Sequence, residues 1–138
     1  FGTKDFQQLL VIRRMVDDLD FPVEIVGLPT VREEDGLAMS SRNQYLTEGE
    51  RRTAPVLYST LSGAARRIEA GETDFRALEA DAMATLRAAG FDPEYVSVRC
   101  ATDLRIPDGG DEKVGELVVL AAARLGKARL IDNVTVVR

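Results

Sequence analysis

The sequence contains no histidine. No imidazole within these 138 residues can act as acid, base or metal ligand, and the lack of a Cys/His cluster argues strongly against a zinc site. Its single cysteine, Cys100, cannot close an internal disulfide. Cys100 sits in an alternating apolar run, which reads as a buried or half-buried thiol in a reducing compartment, the cytoplasm. No apolar run approaches the ~20 residues of a membrane span, and the N-terminus shows no basic-then-apolar leader. Cations are outnumbered, 18 Lys and Arg against 23 Asp and Glu, for a net charge of −5. That balance argues against a nucleic-acid surface, which needs a clear cationic excess. It leaves room for a phosphate ligand, which needs only a few local cations. The chain opens on Phe1 and not on Met, so it is expected to be part of a longer protein.

What is present is ordinary globular material: 45% hydrophobic and 30% charged residues, enough for one domain, or one domain with a piece of another. There is no internal repeat and no low-complexity tract.

Hydrophobic periodicity divides the chain. Lys4 to Leu19 reads as an amphipathic helix, with Phe6, Leu9, Leu10, Ile12, Met15, Val16 and Leu19 on its apolar face and Asp5 near its start. Pro22 prevents continuation, and Val23 to Leu28 is a β-branched run of strand length. A helix followed by such a strand is the closing half of a β-α-β unit. Residues 1–30 are therefore expected to be the tail of a nucleotide-binding, Rossmann-like α/β domain, with the boundary at Pro29-Thr30.

Residues 31–138 read as an α+β lid domain, helices packed on a three-stranded antiparallel sheet. Thr47 and Glu50 form a capping box. The helix that follows is interrupted by Pro55 and continues to about Ala70, burying Val56, Leu57, Leu61, Ala64, Ala65 and Ile68. Gly71 ends it. Thr73 or Asp74 caps a further helix to about Ala89, with Phe75, Leu78, Ala82, Met83 and Leu86 inward and Gly90 as its stop. The two helices, joined by a few residues, should pack antiparallel. The period then changes. Tyr95 to Cys100 alternates as a half-buried strand, Pro107-Asp108-Gly109-Gly110 is a loop, Leu117 to Ala123 suits a central strand, and Ala128 to Val137 returns from a turn at Gly126-Lys127. Asp132-Asn133 is out of place in a strand and suggests a bulge or a backbone-capping role.

Two polar segments could carry chemistry. Gly2-Thr3-Lys4-Asp5 precedes the first helix. There Gly permits close ligand approach, helix N–H groups face an anion, Lys4 offers a mobile charge for a polyphosphate and Asp5 could accept from ribose hydroxyls. A solvated helix start with a capping Asp has the same composition. Met39-Ser40-Ser41-Arg42, after the Asp35-Gly36 turn, sets two hydroxyls and a guanidinium beside backbone N–H groups, the donors that hold phosphate oxygens. A polar linker before a helix has the same look. Within Gln7-Gln8, one glutamine lies near the apolar face and could orient a polar substrate. Arg51-Arg52, Arg66-Arg67 and Glu69 read as solvated helix faces, and Asp103, Asp108, Asp111 and Glu112 as loop solvation.

These segments also carry a resemblance. Phe1-Gly2-Thr3-Lys4-Asp5-Phe6-Gln7-Gln8-Leu9, Ile12-Arg13-Arg14-Met15-Val16, Pro29-Thr30-Val31-Arg32-Glu33, Asp35 to Asn43 with Tyr45-Leu46, and the closing Ala122 to Gly126 and Arg129 to Asn133 resemble the pantothenate synthetase (pantoate–β-alanine ligase) family. The match runs in unbroken order over the C-terminal half of the family's length. The family's N-terminal domain, with its His-x-Gly-His motif and catalytic histidine, would precede Phe1.

The resemblance implies a homodimeric ligase using ATP and Mg²⁺. Pantoate carboxylate attacks the α-phosphate to give pantoyl adenylate and pyrophosphate, and the amine of β-alanine then displaces AMP. It implies ATP binding at Gly2, Thr3, Lys4 and Asp5, with Lys4 toward phosphate and Gly2 and Asp5 near ribose. It assigns the backbone of Val31 to adenine, Met39, Ser40, Ser41 and Arg42 to a second ATP segment like the Lys-Met-Ser-Lys-Ser loop of related adenylate-forming enzymes, and Gln8 to pantoate. Thr3, often acidic in relatives, departs from the pattern. The alternatives are a non-catalytic nucleotide-binding module, which would bind ATP tightly without turnover, and a tRNA synthetase piece, which the acidic charge and Gln7-Gln8 disfavour.

Overall fold

The computed structural model describes residues 1–107 and 115–138. Helix α1 spans Phe6–Asp18, a 3₁₀ turn Ser41–Tyr45, α2 Glu48–Thr53, α3 Val56–Glu69 and α4 Phe75–Ala89. Strands β1 Asp92–Cys100, β2 Glu116–Leu125 and β3 Ala128–Val137 follow. The fold is the expected α+β arrangement, three helices on a three-stranded antiparallel sheet ordered β1-β2-β3. The expected loop residues Asp108 to Gly110, and Asp111 and Glu112 beyond them, lie outside the described residues.

Local chemistry sets the helix ends. The Thr47 hydroxyl accepts from the Glu50 N–H while the Glu50 carboxylate accepts from the Thr47 N–H, which completes the capping box. Pro55 has no N–H, so helix α2 stops and α3 starts afresh at Val56. Asp74, not Thr73, caps α4 by accepting from the Ala77 N–H, and Gly90 closes that helix at φ +105°. Helix α3 lies on β2 and β3, and α4 on β1.

The core fills the space between. Leu57, Leu61, Ile68, Leu78 and Leu86 from the helices meet Val96, Val98, Leu117, Val119 and Leu130 from the sheet, all 5% exposed or less. Strand β2 is covered on both faces, as its near-continuous apolar run requires, since Val118 and Ala122 on the face away from α3 are also fully buried.

Three expectations are corrected. Val23 to Leu28 is extended but makes no strand: one parallel bridge joins Leu28 to Gly2, through Thr3 N–H to Leu28 O and Leu28 N–H to Phe1 O, both 2.8 Å. With bonding on one side only, no ladder forms, and Val23, Val26 and Leu28 stay more than half exposed. Of the two readings of Asp132-Asn133 the bulge is absent, because the β2–β3 register is continuous through both, and the backbone-capping role holds, since the Asn133 amide donates to Thr3 O and Lys4 O. The sheet's irregularity lies instead between Pro93 and Tyr95, where Glu94 has no partner on β2 beside a proline that lacks a backbone N–H. Of the seven apolar positions assigned to the face of α1, only Leu9 and Val16 are buried.

Candidate functional site

The two polar segments converge at the outer edge of β3. Asp5 caps α1 by accepting from the Gln8 N–H at 3.2 Å, which places Lys4 just before the helix. The Lys4 ammonium donates to the Met39 carbonyl at 3.4 Å, so the first segment touches the second. In the second, Glu33 N–H reaches Leu37 O, Met39 N–H reaches Val31 O, and the Ser40 hydroxyl accepts from the Arg42 N–H to start the 3₁₀ turn. Asn43 braces the loop from inside by donating to Ala38 O at 3.1 Å.

A buried ion pair bolts this loop to the sheet. The Arg32 guanidinium forks onto Asp132 at 2.6 and 2.9 Å, donates to Gly36 O at 3.1 Å, and stacks 3.8 Å from the Tyr58 ring centre. The Asp132 side chain is 2% exposed and that of Arg32 19%, so breaking either half strands a charge in a dry place. Gly36 is needed here. Its φ is +94°, and a Cβ would come within 2.8 Å of the Tyr58 ring. At the rim, Arg51 pairs with Asp35 and holds its carboxyl below the usual range.

Lys4, Ser40, Arg42 and Asn43 line one cleft with Arg129 and Asp132. The enclosed space is about 10 Å³, room for one water, so a larger ligand would lie across its mouth. The Lys4 ammonium is pushed below its ordinary pKa, mainly by burial and further by the Arg42 charge; Asp132 and Asp5 pull it back up. Two cations held together with part-compensated charge make an anion-accepting edge.

Not every expected residue joins it. Met39 and Ser41 are exposed and do not line the cleft, and Thr3 lines a separate groove with Phe6, Leu9 and Arg13. Gln7 and Gln8 both face solvent. The side chain of Val31 is 65% exposed, and its carbonyl is taken by Met39. Nothing in the sequence assigned a role to Arg32, Tyr58 or Arg129; Arg32 and Arg129 entered only within stretches that carry the resemblance. Asp132-Asn133 did signal itself, as two polar residues inside a strand.

Fold and cleft together define a class: an α+β unit with one further helix and an extended segment ahead of it, and a cation-lined edge where Lys4 meets the Met39–Arg42 segment. The sequence model of pantoate-beta-alanine ligase matches residues 1–135. The chain belongs to the pantoate–β-alanine ligase family. The pantothenate synthetase of Alkalilimnicola ehrlichii is 58% identical over 134 residues, covering 97% of this chain and 46% of that protein. The chain thus spans about half the length of the curated relatives it matches. Pantothenate synthetase from Thermus thermophilus superposes with a TM-score of 0.86 at 45% identity, over 97% of this chain and 48% of that one. Pantoate-beta-alanine ligase from Francisella tularensis, in complex with beta-gamma ATP and beta-alanine, superposes with a TM-score of 0.61 at 25% identity, over 96% and 41%.

Proposed function

We propose that this chain supplies the lid half of an ATP-dependent ligase that joins pantoate to β-alanine. Residues 1–30 complete the nucleotide-binding α/β domain and residues 31–138 form the lid. The observation that carries the reading is the convergence of Lys4 with Ser40 and Arg42 on one cleft. The ATP and β-alanine bound by the Francisella tularensis relative support it.

In this reading pantoate carboxylate attacks the α-phosphorus of ATP and pyrophosphate leaves. The amine of β-alanine then attacks the acyl carbon and AMP departs. Such chemistry needs alignment and positive charge where pyrophosphate separates, and no covalent protein intermediate. Lys4 and Arg42 hold the phosphates from two sides, and the Ser40 and Ser41 hydroxyls and nearby backbone N–H groups donate to the remaining oxygens. Gly2, Thr3 and Asp5 flank the ribose, the backbones of Val31 and Met39 border the adenine side, and Gln8 orients pantoate. Mg²⁺ arrives with the nucleotide as part of the substrate.

The histidine of the His-x-Gly-His motif is assigned to sequence before Phe1. These 138 residues alone are proposed not to turn over, and the complete enzyme to be a cytoplasmic homodimer without nucleic-acid partners. The test is to supply the complete gene product with MgATP, β-alanine and pantoate labelled with ¹⁸O in its carboxylate. AMP, pyrophosphate and one label transferred to AMP are expected. ADP and phosphate as products would overturn the adenylate route.

A further inference from the structure

Asp132 and Asn133 sit in a strand that neither favours, at 3% and 8% exposure, and the ladder runs through them undisturbed. Successive strand side chains point to opposite faces, and each of these two meets a different polar segment. Asp132 lies opposite Ala121 on the helix-covered face and takes the Arg32 fork. Asn133 lies opposite Leu120 and donates from Nδ2 to two successive carbonyls, Thr3 O and Lys4 O, each at 2.8 Å. Only the nitrogen end of the amide can face two carbonyl oxygens, so the contact fixes its orientation. These carbonyls belong to the two peptide planes that flank the Lys4 Cα, so the pair of bonds fixes the backbone from which the Lys4 side chain springs. The step is tied together internally, since the Asn133 N–H donates to Asp132 Oδ1 at 2.8 Å and Arg32 reaches Asn133 O at 3.5 Å. Strand β3 is an edge strand, and the two segments wrap its rim.

We infer that Asn133 is a positioning residue for Lys4 and that Asp132, through Arg32, does the same for the Ser40–Arg42 turn, so that this two-residue step sets the spacing of the two cationic segments. The inference rests on the proposed role of Lys4 at phosphate.

A double-mutant cycle in the complete gene product tests it, with Asn133→Ala and Lys4→Ala read as kcat/KM for ATP and thermal melts run alongside. Asn133→Ala alone should lower kcat/KM by about 100-fold, the scale of a ~1 Å misplacement. Added to Lys4→Ala it should change the remaining activity by no more than about twofold. An equal loss in both backgrounds, or no loss with Lys4 present, overturns the inference while leaving the role of Lys4 standing. If Lys4→Ala is itself without effect, the proposed phosphate role falls and the inference with it. Should Asn133→Ala fail to fold, Asn133→Ser, which keeps one donor, is carried through the same cycle and judged by the same criterion.

Discussion

Helices α1 and α3 carry the same sequence signal and meet different fates. Each repeats apolar residues at helical spacing. In α3, Leu57, Leu61, Ala64, Ala65 and Ile68 are all 6% exposed or less, because β2 and β3 lie beneath them. In and around α1, Phe1, Val11, Met15, Leu19, Phe21 and Val23 remain 46% to 62% exposed. Periodicity encodes a face, but not what lies against it. Residues 31–138 thus enclose their own core, while the first thirty residues carry exposed apolar side chains and, ahead of α1, the Lys4 ammonium on the Met39 carbonyl.

The sharpest way to break the comparison is to truncate one residue on each helix. Leu61→Ala, at a fully buried site under the sheet, should cost about 2–5 kcal/mol of unfolding free energy in urea, from lost transfer energy and the cavity left behind. Met15→Ala in the same chain should stay within about 0.5 kcal/mol, the range of surface changes. Equal costs would mean that α1 is packed as tightly as α3. In the complete gene product, the domain proposal makes Met15→Ala costly as well.

Arg42 sharpens the same contrast from the functional side. It is exposed, and its removal opens no cavity. Arg42→Ala in the complete gene product should lower adenylate formation by about 2–4 kcal/mol of transition-state stabilisation, the scale of a single electrostatic donor, with an unchanged melting temperature. A normal rate would remove Arg42 from the site.

Much of residues 31–138 was legible in the sequence, because the signals there are local. Thr47 and Glu50 announce the cap, Pro55 the break and Gly90 the stop, and Ala128 to Val137 forms the strand its composition suggested. The extended run at Val23 misled because β propensity reports how well side chains suit a sheet and cannot say whether neighbouring strands are there. The cleft was half legible. Lys4, Ser40 and Arg42 could be picked as phosphate donors by residue type. Their placement depends on Asn133 and Asp132, about a hundred residues downstream, and on Tyr58 stacking over Arg32. Spacing along the chain carries no trace of such contacts.

The smallest effect sharpens the comparison at a single side chain. Lys4 is depressed below 10.5, chiefly by burial and then by Arg42. In folding, its proton is held less firmly in the native state than in the unfolded chain. As pH rises through the lowered native value toward 10.5, the unfolded state binds more protons, so this group's contribution to stability rises with pH across that window. Phosphate binding has the opposite sign. It needs the ammonium, so ATP affinity should decline over the same window, at lower pH than an ordinary lysine would allow. A bound polyphosphate raises the lysine's pKa, so binding within the window should take up protons. Calorimetry of ATP binding in buffers of different ionisation enthalpy measures that uptake, and Lys4→Met should abolish it. Affinity that stays level up to 10.5 would mean that Lys4 stands away from the phosphates, and that the first segment differs from residues 31–138 only in being less buried.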